Sequence, residues 1–462
     1  MLSLKCLAWA LSGVIASPLA PRDSVTATVD LSTTRGTPQH LASGFIYGIP
    51  DNYPNQIPAS WYTGIDFNYA RTGGAQLGSP ARGWIWGEFE GRLQSSLLNY
   101  EVSRQYGADV ILLVHDIWGT DGVNSSTLWP GDNGNWADFD NYLATLLDAL
   151  VDNDMLDGLV IDIWNEPELT VFWDRSLQQY IDMYIRVHKT IRADSRFDNV
   201  RISGPSMATA PIASNTWWTS WLSQIAGNNT VPDQWSYHLE RGPADTTSDP
   251  QYTNASLAAL LETYGLPERE VNINEYAVFD EMHPSGYVWW IARLERYNFW
   301  GLLGNWLSGT TLHDLFANLI TKESDPYNYT ATDYAAAPGW WVYRYYAQNM
   351  TGERVATTGS TDNLLDVYAT KDDSTVRLLV GTRVASGTWS VQVNGLSSVG
   401  YGTSGTVSIN TWGFDGSDAF AAQGPPSFRN TVSHDFSDDT LTFPIYQTDT
   451  NTSWAFEFAV GG

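Results

Sequence analysis

The sequence predicts an α/β fold: a (β/α)8 TIM barrel carrying an accessory all-β sandwich domain. Three observations predict it. Short apolar runs alternate with longer helical periods from about residue 44 to 350, the pattern of βαβ units building a parallel sheet. Eight such runs occur, the barrel's number. Beyond about residue 353, Thr, Ser, Val and Gly dominate, turn residues recur, and no convincing helical period remains. At 462 residues the chain exceeds the roughly 250 of a barrel and leaves room for a second, smaller domain.

The eight expected strands lie at residues 44–49, 67–72, 110–115, 159–164, 200–204, 234–238, 271–276 and 301–306. Several are β-branched and nearly continuous in apolar character, as strands buried on both faces are. Between them Phe139, Leu143, Leu146, Leu147 and Leu150 repeat at helical spacing, as do Leu177, Ile181, Tyr184, Val187 and Ile191. Further helices are expected at about 286–297 and 339–348, the last closing the barrel. A doubly wound open sheet is the alternative, but no Gly-rich phosphate loop follows the first strand. In the all-β region, 377–380, 389–393, 406–409 and 455–460 read as strands, and 25–31 reads as one that joins the same sandwich. The expected division is therefore 1–20 as a leader, 21–40 as the N-terminal strand of the sandwich, 41–352 as the barrel and 353–462 as the sandwich.

The leader reads as a signal peptide. Lys5 precedes an apolar stretch from Cys6 to Ala16 that is too short to span a bilayer, and Ala16, Ser17 and Ala20 offer small-residue cleavage points. Cys6 is the single cysteine, so the mature chain is expected to use neither disulfides nor thiol catalysis. Six Asn-x-Ser/Thr triplets, at Asn124, Asn228, Asn254, Asn328, Asn349 and Asn451, fit N-linked glycans on a secreted, extracellular protein.

Composition narrows the partners. A net charge of −27 repels a polyanion, which argues against nucleic acid, and no basic face offers itself to an anionic membrane. The chain carries 22 Trp and 24 Tyr, most of which a large core absorbs. An aromatic surplus on an acidic chain nevertheless leans toward carbohydrate, whose rings present flat C–H faces for stacking.

The strongest chemical signal is Trp164-Asn165-Glu166-Pro167, closing the fourth expected strand. Barrel active sites lie at the C-terminal ends of strands, and Pro167 cannot continue the ladder, so the strand stops just beyond the carboxylate. Asn165 beside it can donate to a hydroxyl. The second signal is Asn272-Ile273-Asn274-Glu275-Tyr276, closing the seventh strand. Strands four and seven face each other across a barrel mouth. Two opposed carboxyls supply what glycosidic cleavage requires: an acid for the departing oxygen, and a second group to attack the anomeric carbon or activate water. Two incidental strand-end carboxylates are the bland reading, and the matching strand contexts weigh against it. No metal site is evident from spacing: His283 and His313 lack companions, and His188 sits in a helical apolar stripe. No Gly-x-Ser-x-Gly nucleophile turn occurs. No cofactor is expected.

With these motifs the chain resembles the retaining clan of (β/α)8-barrel glycosidases, clan A, and within it glycoside hydrolase family 39, which contains β-xylosidases and α-L-iduronidases. The resemblance covers the barrel and the all-β region. It implies an O-glycosidase in which Glu166 is the acid/base and Glu275 the nucleophile. Arg71, in Tyr69-Ala70-Arg71-Thr72, matches the clan arginine that bonds the nucleophile. His238, in Ser236-Tyr237-His238, matches a clan histidine near the acid/base, and Trp306 matches the aromatic floor beneath the reactive sugar. The family often places a tyrosine two residues after that histidine; here the position is Glu240, a polar contact or a solvated loop residue, and Tyr237 precedes the histidine instead. Glu168, two positions past the acid/base, is equally open. His115 and Asp116, at the end of the third strand, and Trp118 just beyond it are candidates to bind the sugar at the glycone subsite. The substrates implied are plant or microbial poly- or oligosaccharides, with β-xylosides or arabinose-containing chains favoured. The long segments 73–92 and 119–135 could shape either an exo pocket or a cleft. The alternative function is a secreted carbohydrate-binding protein without turnover.

Overall fold

A computed structural model describes residues 25–51, 55–120, 127–304 and 315–461. The expected leader, Trp306 and Asn124 lie outside the described residues.

Eight parallel strands close into a barrel: β2 (Gly44–Ile46), β3 (Tyr69–Thr72), β4 (Asp109–Leu113), β5 (Leu159–Asp162), β6 (Arg201–Met207), β7 (Gln234–Leu239), β8 (Glu270–Tyr276) and β9 (Phe299–Leu303). Each overlaps one of the eight apolar runs of the sequence. Helices follow each strand: α1 (Ala59–Gly64), α2 (Phe89–Gln105), the short α3 (Val114–Trp118) with α4 (Ala137–Asp152), α5 (Leu177–Ala193), α6 (Thr216–Asn228), α7 (Pro250–Tyr264), α8 (Pro284–Tyr297) and α9 (Pro338–Gln348). The stripe Phe139, Leu143, Leu146, Leu147 and Leu150 of α4 is buried, as its helical spacing requires. Helix α5 starts where Ser176 accepts a hydrogen bond from Gln179 N at 3.2 Å, satisfying a free backbone donor. Helices α8 and α9 both begin on proline, which lacks the N–H that a first turn leaves unpaired anyway.

Side chains alternate between barrel interior and helix layer along each strand. Tyr69, Ile111, Val160 and Leu302 form an apolar floor inside, with Ile46 and Tyr47. One repeat further toward the strand ends, the interior turns polar: Arg71 stands above Tyr69 and Asp162 above Val160. The intervening Ala70 and Ile161 face outward into the helix core.

Strand β9 does not run directly into α9. A two-stranded hairpin, β10 (Ile320–Lys322) with β11 (Tyr334–Ala336), intervenes.

The second unit is one nine-stranded sheet in the order β17-β16-β19-β14-β13-β12-β1-β15-β18, where β1 is Thr26–Thr34, β12 Glu353–Thr358, β13 Leu365–Lys371, β14 Thr375–Thr382, β15 Gly387–Asn394, β16 Gly405–Phe414, β17 Ser427–Phe436, β18 Thr440–Gln447 and β19 Ser453–Ala459. It folds over so that Val391, Leu441 and Phe443 share a core with Leu378, Phe456 and Phe458, giving a sandwich. The N-terminal β1 is its hinge strand, antiparallel to β12 and parallel to β15.

Barrel and sandwich meet along α8. Asp366 of β13, fully buried, lies 2.8 Å from Arg293 Nε as an ion pair and accepts a hydrogen bond from Arg296 Nη1 at 2.8 Å. Glu281 pairs with Arg383 at 2.5 Å, whose guanidinium lies 4.4 Å over the Trp289 ring. Among the glycosylation triplets, Asn228, Asn254, Asn328 and Asn349 are exposed and Asn451 is half-buried.

Candidate active site

The site is assembled at the C-terminal mouth of the barrel, and two local irregularities build it. In β8 the register slips against both neighbours: Tyr237 pairs with Ile273 but His238 with Glu275, and the ladder to β9 breaks between Ile273 and Tyr276. A bulge of this kind lets two successive side chains face the same way. Asn274 and Glu275 accordingly both point into the barrel, while Tyr276 points out and bonds Ala42 O at 3.1 Å. A second slip at Pro205–Met207 of β6 turns Ser206 inward.

Glu166 lies four residues beyond β5, with its backbone in the left-handed region at φ +41°. That conformation costs a non-glycine residue about 1–3 kcal/mol and persists only where the surroundings enforce it. Here the Glu166 amide donates to Ser206 O at 2.9 Å, tying the two strand ends together and aiming the carboxyl at the mouth.

Glu166 and Glu275 are buried, at 8% and 5% exposure. One oxygen of each lies within 4.8 Å of the other, in a group that also contains a nitrogen of His238 and an oxygen of Glu240. Arg71 donates through Nη1 to Glu275 and through Nη2 to Asp162 (2.9 Å) and Asn165 Oδ1 (2.8 Å). Asp162 Oδ2 also accepts from Ser206 Oγ at 2.8 Å and Asn274 Nδ2 at 3.0 Å. This network fixes the guanidinium and, through it, the carboxylate of Glu275. His238 Nδ1 lies 2.9 Å from Glu166 Oε1, and its Nε2 lies 3.7 Å from Glu275.

The two carboxyls are electrostatically unlike. Burial pushes Glu166 up to about 7, opposed only in part by Arg71. Burial raises Glu275 as well, and near neutral pH, where His238 is uncharged, the Arg71 guanidinium is what counteracts it. A buried pair so close holds one proton in common, and the cation touching Glu275 leaves that proton on Glu166. Burial lowers His238 to about 4, so it is a neutral imidazole over the neutral pH range.

Several residues anticipated from sequence take other places. Tyr237 does not face the site. Between the inward Ser236 and His238, alternation turns it into the helix layer, where its ring meets Trp218 edge-on at 5.9 Å. Trp118 likewise packs outward, against Phe139 and Tyr142 of α4. His115 is buried in α3 rather than ending β4; its Nδ1 bonds Asp116 at 2.7 Å and its ring abuts Trp164 and Phe172. Burial, with Arg71 and Arg92 nearby, lowers it to about 3. His115 therefore positions Asp116, which also accepts the Tyr47 hydroxyl. Arg71, Asn165, His238 and Glu240 converge with the two glutamates.

Sequence reasoning passed over Asp162, Ser206, Asn274 and Tyr47. Asp162 carried a signal, a carboxylate closing the apolar run Leu159-Val160-Ile161. Glu168 has Oε1 bonded by Thr209 N and Oγ1, both at 2.9 Å, a fully buried Oε2 without a partner, and a pKa raised by burial to about 7.

Among the described residues, Glu166, His238, Glu240 and Glu275 form the one grouping compact enough to hold a metal ion. Linear spacing gives no hint of it, because three strands deliver its members.

No protein-family model matches the chain. A curated relative, 3-O-alpha-D-galactosyl-alpha-L-arabinofuranosidase of Bifidobacterium longum subsp. longum, is 21% identical over 453 residues. The match covers 86% of this chain, which spans only 37% of that relative's length. Among solved structures, N2152 from Neocallimastix frontalis superposes with a TM-score of 0.72 at 20% identity, covering 94% of this chain and 98% of that one. A glycoside hydrolase family 39 enzyme from Xanthomonas axonopodis pv. citri superposes with a TM-score of 0.57 at 13% identity (95% and 99% covered). A glycoside hydrolase family 30 subfamily 8 xylanase from Clostridium acetobutylicum gives 0.56 at 15% identity (94% and 100% covered). The chain thus has the barrel-and-sandwich fold that these glycoside hydrolases have.

Proposed function

We propose that the protein is a secreted, retaining glycoside hydrolase that cleaves O-glycosidic bonds in xylose- or arabinose-containing plant or microbial saccharides. The observation that carries this reading is the buried pair Glu166 and Glu275, with oxygens within 4.8 Å and only Glu275 clasped by a guanidinium. Inverting enzymes separate their carboxyls by about 6.5–9.5 Å to admit a water, whereas retaining ones need about 5–5.5 Å. The close spacing supports the retaining course.

In the first step an oxygen of Glu275 bonds to the anomeric carbon as the bond to the leaving oxygen breaks, and Glu166 gives that oxygen its proton. In the second, Glu166 takes a proton from water, the hydroxide bonds to the anomeric carbon, and the ester to Glu275 breaks. Arg71 favours the ionised form of Glu275 against the upward pull of burial, and Glu166 starts protonated because burial holds its pKa at about 7. The substrate class draws support from the arabinofuranosidase relative and the xylanase neighbour. Secretion is supported by the apolar leader and by four exposed glycosylation triplets.

The test is product release from aryl glycosides and plant and microbial polysaccharides by wild type, Glu166→Ala and Glu275→Ala. Release by wild type alone, with the product's anomeric configuration retained, is expected. Equal release by all three proteins contradicts the assignment of the pair.

A further inference from the structure

Ala277, fully buried, follows the strand that carries Glu275 and turns the chain at φ +71°. A non-glycine residue holds that conformation only where its surroundings enforce it. Strand pairing enforces it from one side alone, because the bulge leaves Asn274 and Glu275 without register partners in β9. The next anchor is the single turn Phe279–Glu281. Glu281 accepts the Val278 amide at Oε2 (2.9 Å), and its own amide donates back to Val278 O at 2.8 Å.

Glu281 is itself fully buried, and a buried carboxylate needs a partner. That partner comes from the other domain. Arg383, one residue past β14, donates Nε to Glu281 Oε1 at 2.5 Å. Its guanidinium also lies 5.3 Å over the Trp290 ring, which meets the ring of Tyr276, next to Glu275, at 5.2 Å. One sandwich residue thus reaches the segment behind Glu275 by two routes, an ion pair and a stack of rings. The approach is close: Thr382 N donates to Ser285 Oγ at 2.7 Å, and a Cβ added at Gly381 would stand 2.3 Å from Ser285 O.

Resting on the glycosidase reading, we propose that Arg383 of the sandwich is a positioning residue for the nucleophile. Through Glu281 it fixes the chain reversal at Ala277, and with it the backbone that carries Glu275. Arg71 orients the carboxylate from β3; the Arg383–Glu281 pair holds the strand end from the opposite domain. The sandwich thereby takes part in placing the nucleophile, beyond bracing the barrel. Attack on an anomeric carbon needs the reacting atoms about 3–3.5 Å apart, and a misplacement of about 1 Å costs on the order of 100-fold in rate.

The experiment measures the attack itself, on the full-length protein. The probe is a glycosyl fluoride of the sugar that wild type releases, fluorinated again beside the anomeric carbon so that the ester accumulates. The anomeric carbon bonds to an oxygen of Glu275, and fluoride leaves with the electron pair of its bond. Intact mass gives the labelling rate, and peptide mapping gives the labelled residue. Arg383→Met and the isosteric Glu281→Gln should label about 10–100-fold more slowly than wild type, while the Kd of the free sugar stays within about threefold. Arg383→Lys should recover part of the rate. Val391→Ala, which loosens the sandwich core away from this contact, should label within about threefold of wild type below its melting temperature. Should Arg383→Met not fold, Glu281→Gln decides. Labelling at the wild-type rate in these two variants overturns the inference and leaves the glycosidase reading intact. Equal slowing in Val391→Ala also overturns it, since the effect is then one of general stability. No adduct on wild type, or an adduct elsewhere than Glu275, overturns the nucleophile assignment itself, and this inference with it.

Discussion

His238 Nδ1 lies 2.9 Å from Oε1 of Glu166, a neutral imidazole against a carboxyl that burial keeps protonated to about pH 7. The relationship sets a pH dependence. On the proposed mechanism the leaving oxygen takes its proton from Glu166, so kcat/KM should fall as pH rises through about 7, and the descending limb should vanish in Glu166→Gln together with most activity toward poor leaving groups. A pH–rate profile on one aryl glycoside checks both. A limb near 4.5 instead of 7 would place the acid elsewhere.

Glu168 makes the same point for stability. Its folded pKa, raised to about 7, stands above the usual carboxylate value. The fold therefore binds the proton more tightly than the unfolded chain does. The associated stability is fully present below about pH 4.5 and is lost as pH rises to about 7. Glu168→Gln, which stays neutral, should raise stability at pH 8 by on the order of 1–3 kcal/mol and change it little at pH 4. Thermal melts of both proteins at the two pH values decide it.

Arg71→Ala removes the cation from two buried carboxylates at once, Glu275 and Asp162. Breaking a buried pair in this way costs about 3–5 kcal/mol. A large loss of kcat should accompany a Tm drop of several degrees, and Arg71→Lys should recover only part of either, because a single ammonium cannot span Glu275, Asp162 and Asn165.

Tyr237→Phe and Trp118→Phe provide the contrary case. Both side chains face the helix layer, so both variants should keep kcat/KM within about threefold of wild type, by the ordinary independence of sites without shared partners. A hundredfold loss in Tyr237→Phe would return that hydroxyl to the site.

Asp366→Ala tests the union of barrel and sandwich. It leaves Arg293 and Arg296 without their shared buried carboxylate, at a cost of about 3–5 kcal/mol. Calorimetry should show one cooperative transition in wild type and a lowered, broadened one in the variant.

Much of this architecture was legible in the sequence. The eight barrel strands announced themselves as apolar runs, since strands covered on both faces need apolar residues throughout. The Glu166 and Glu275 motifs stood at strand ends, where a barrel puts its chemistry. What resisted reading depends on register. Tyr237 and Trp118 sit beside inward-facing neighbours, and a shift of one residue reverses a side chain's face. Asn274 and Glu275 both point inward only because β8 bulges, which no composition reveals. Ser206 and Tyr47 lack any local pattern. The hairpin β10–β11 was hidden by its three-residue strands, and the convergence of Glu240 with Glu166, His238 and Glu275 exists only once three strands are side by side.

The most direct measurement is azide rescue of Glu275→Ala on an activated aryl glycoside. The account expects turnover to return with azide, giving a glycosyl azide of inverted anomeric configuration, because the small anion attacks from the face that Glu275 vacates. A glycosyl azide of retained configuration would make Glu275 the acid/base. No rescue by a folded variant that still binds sugar would remove it as the nucleophile.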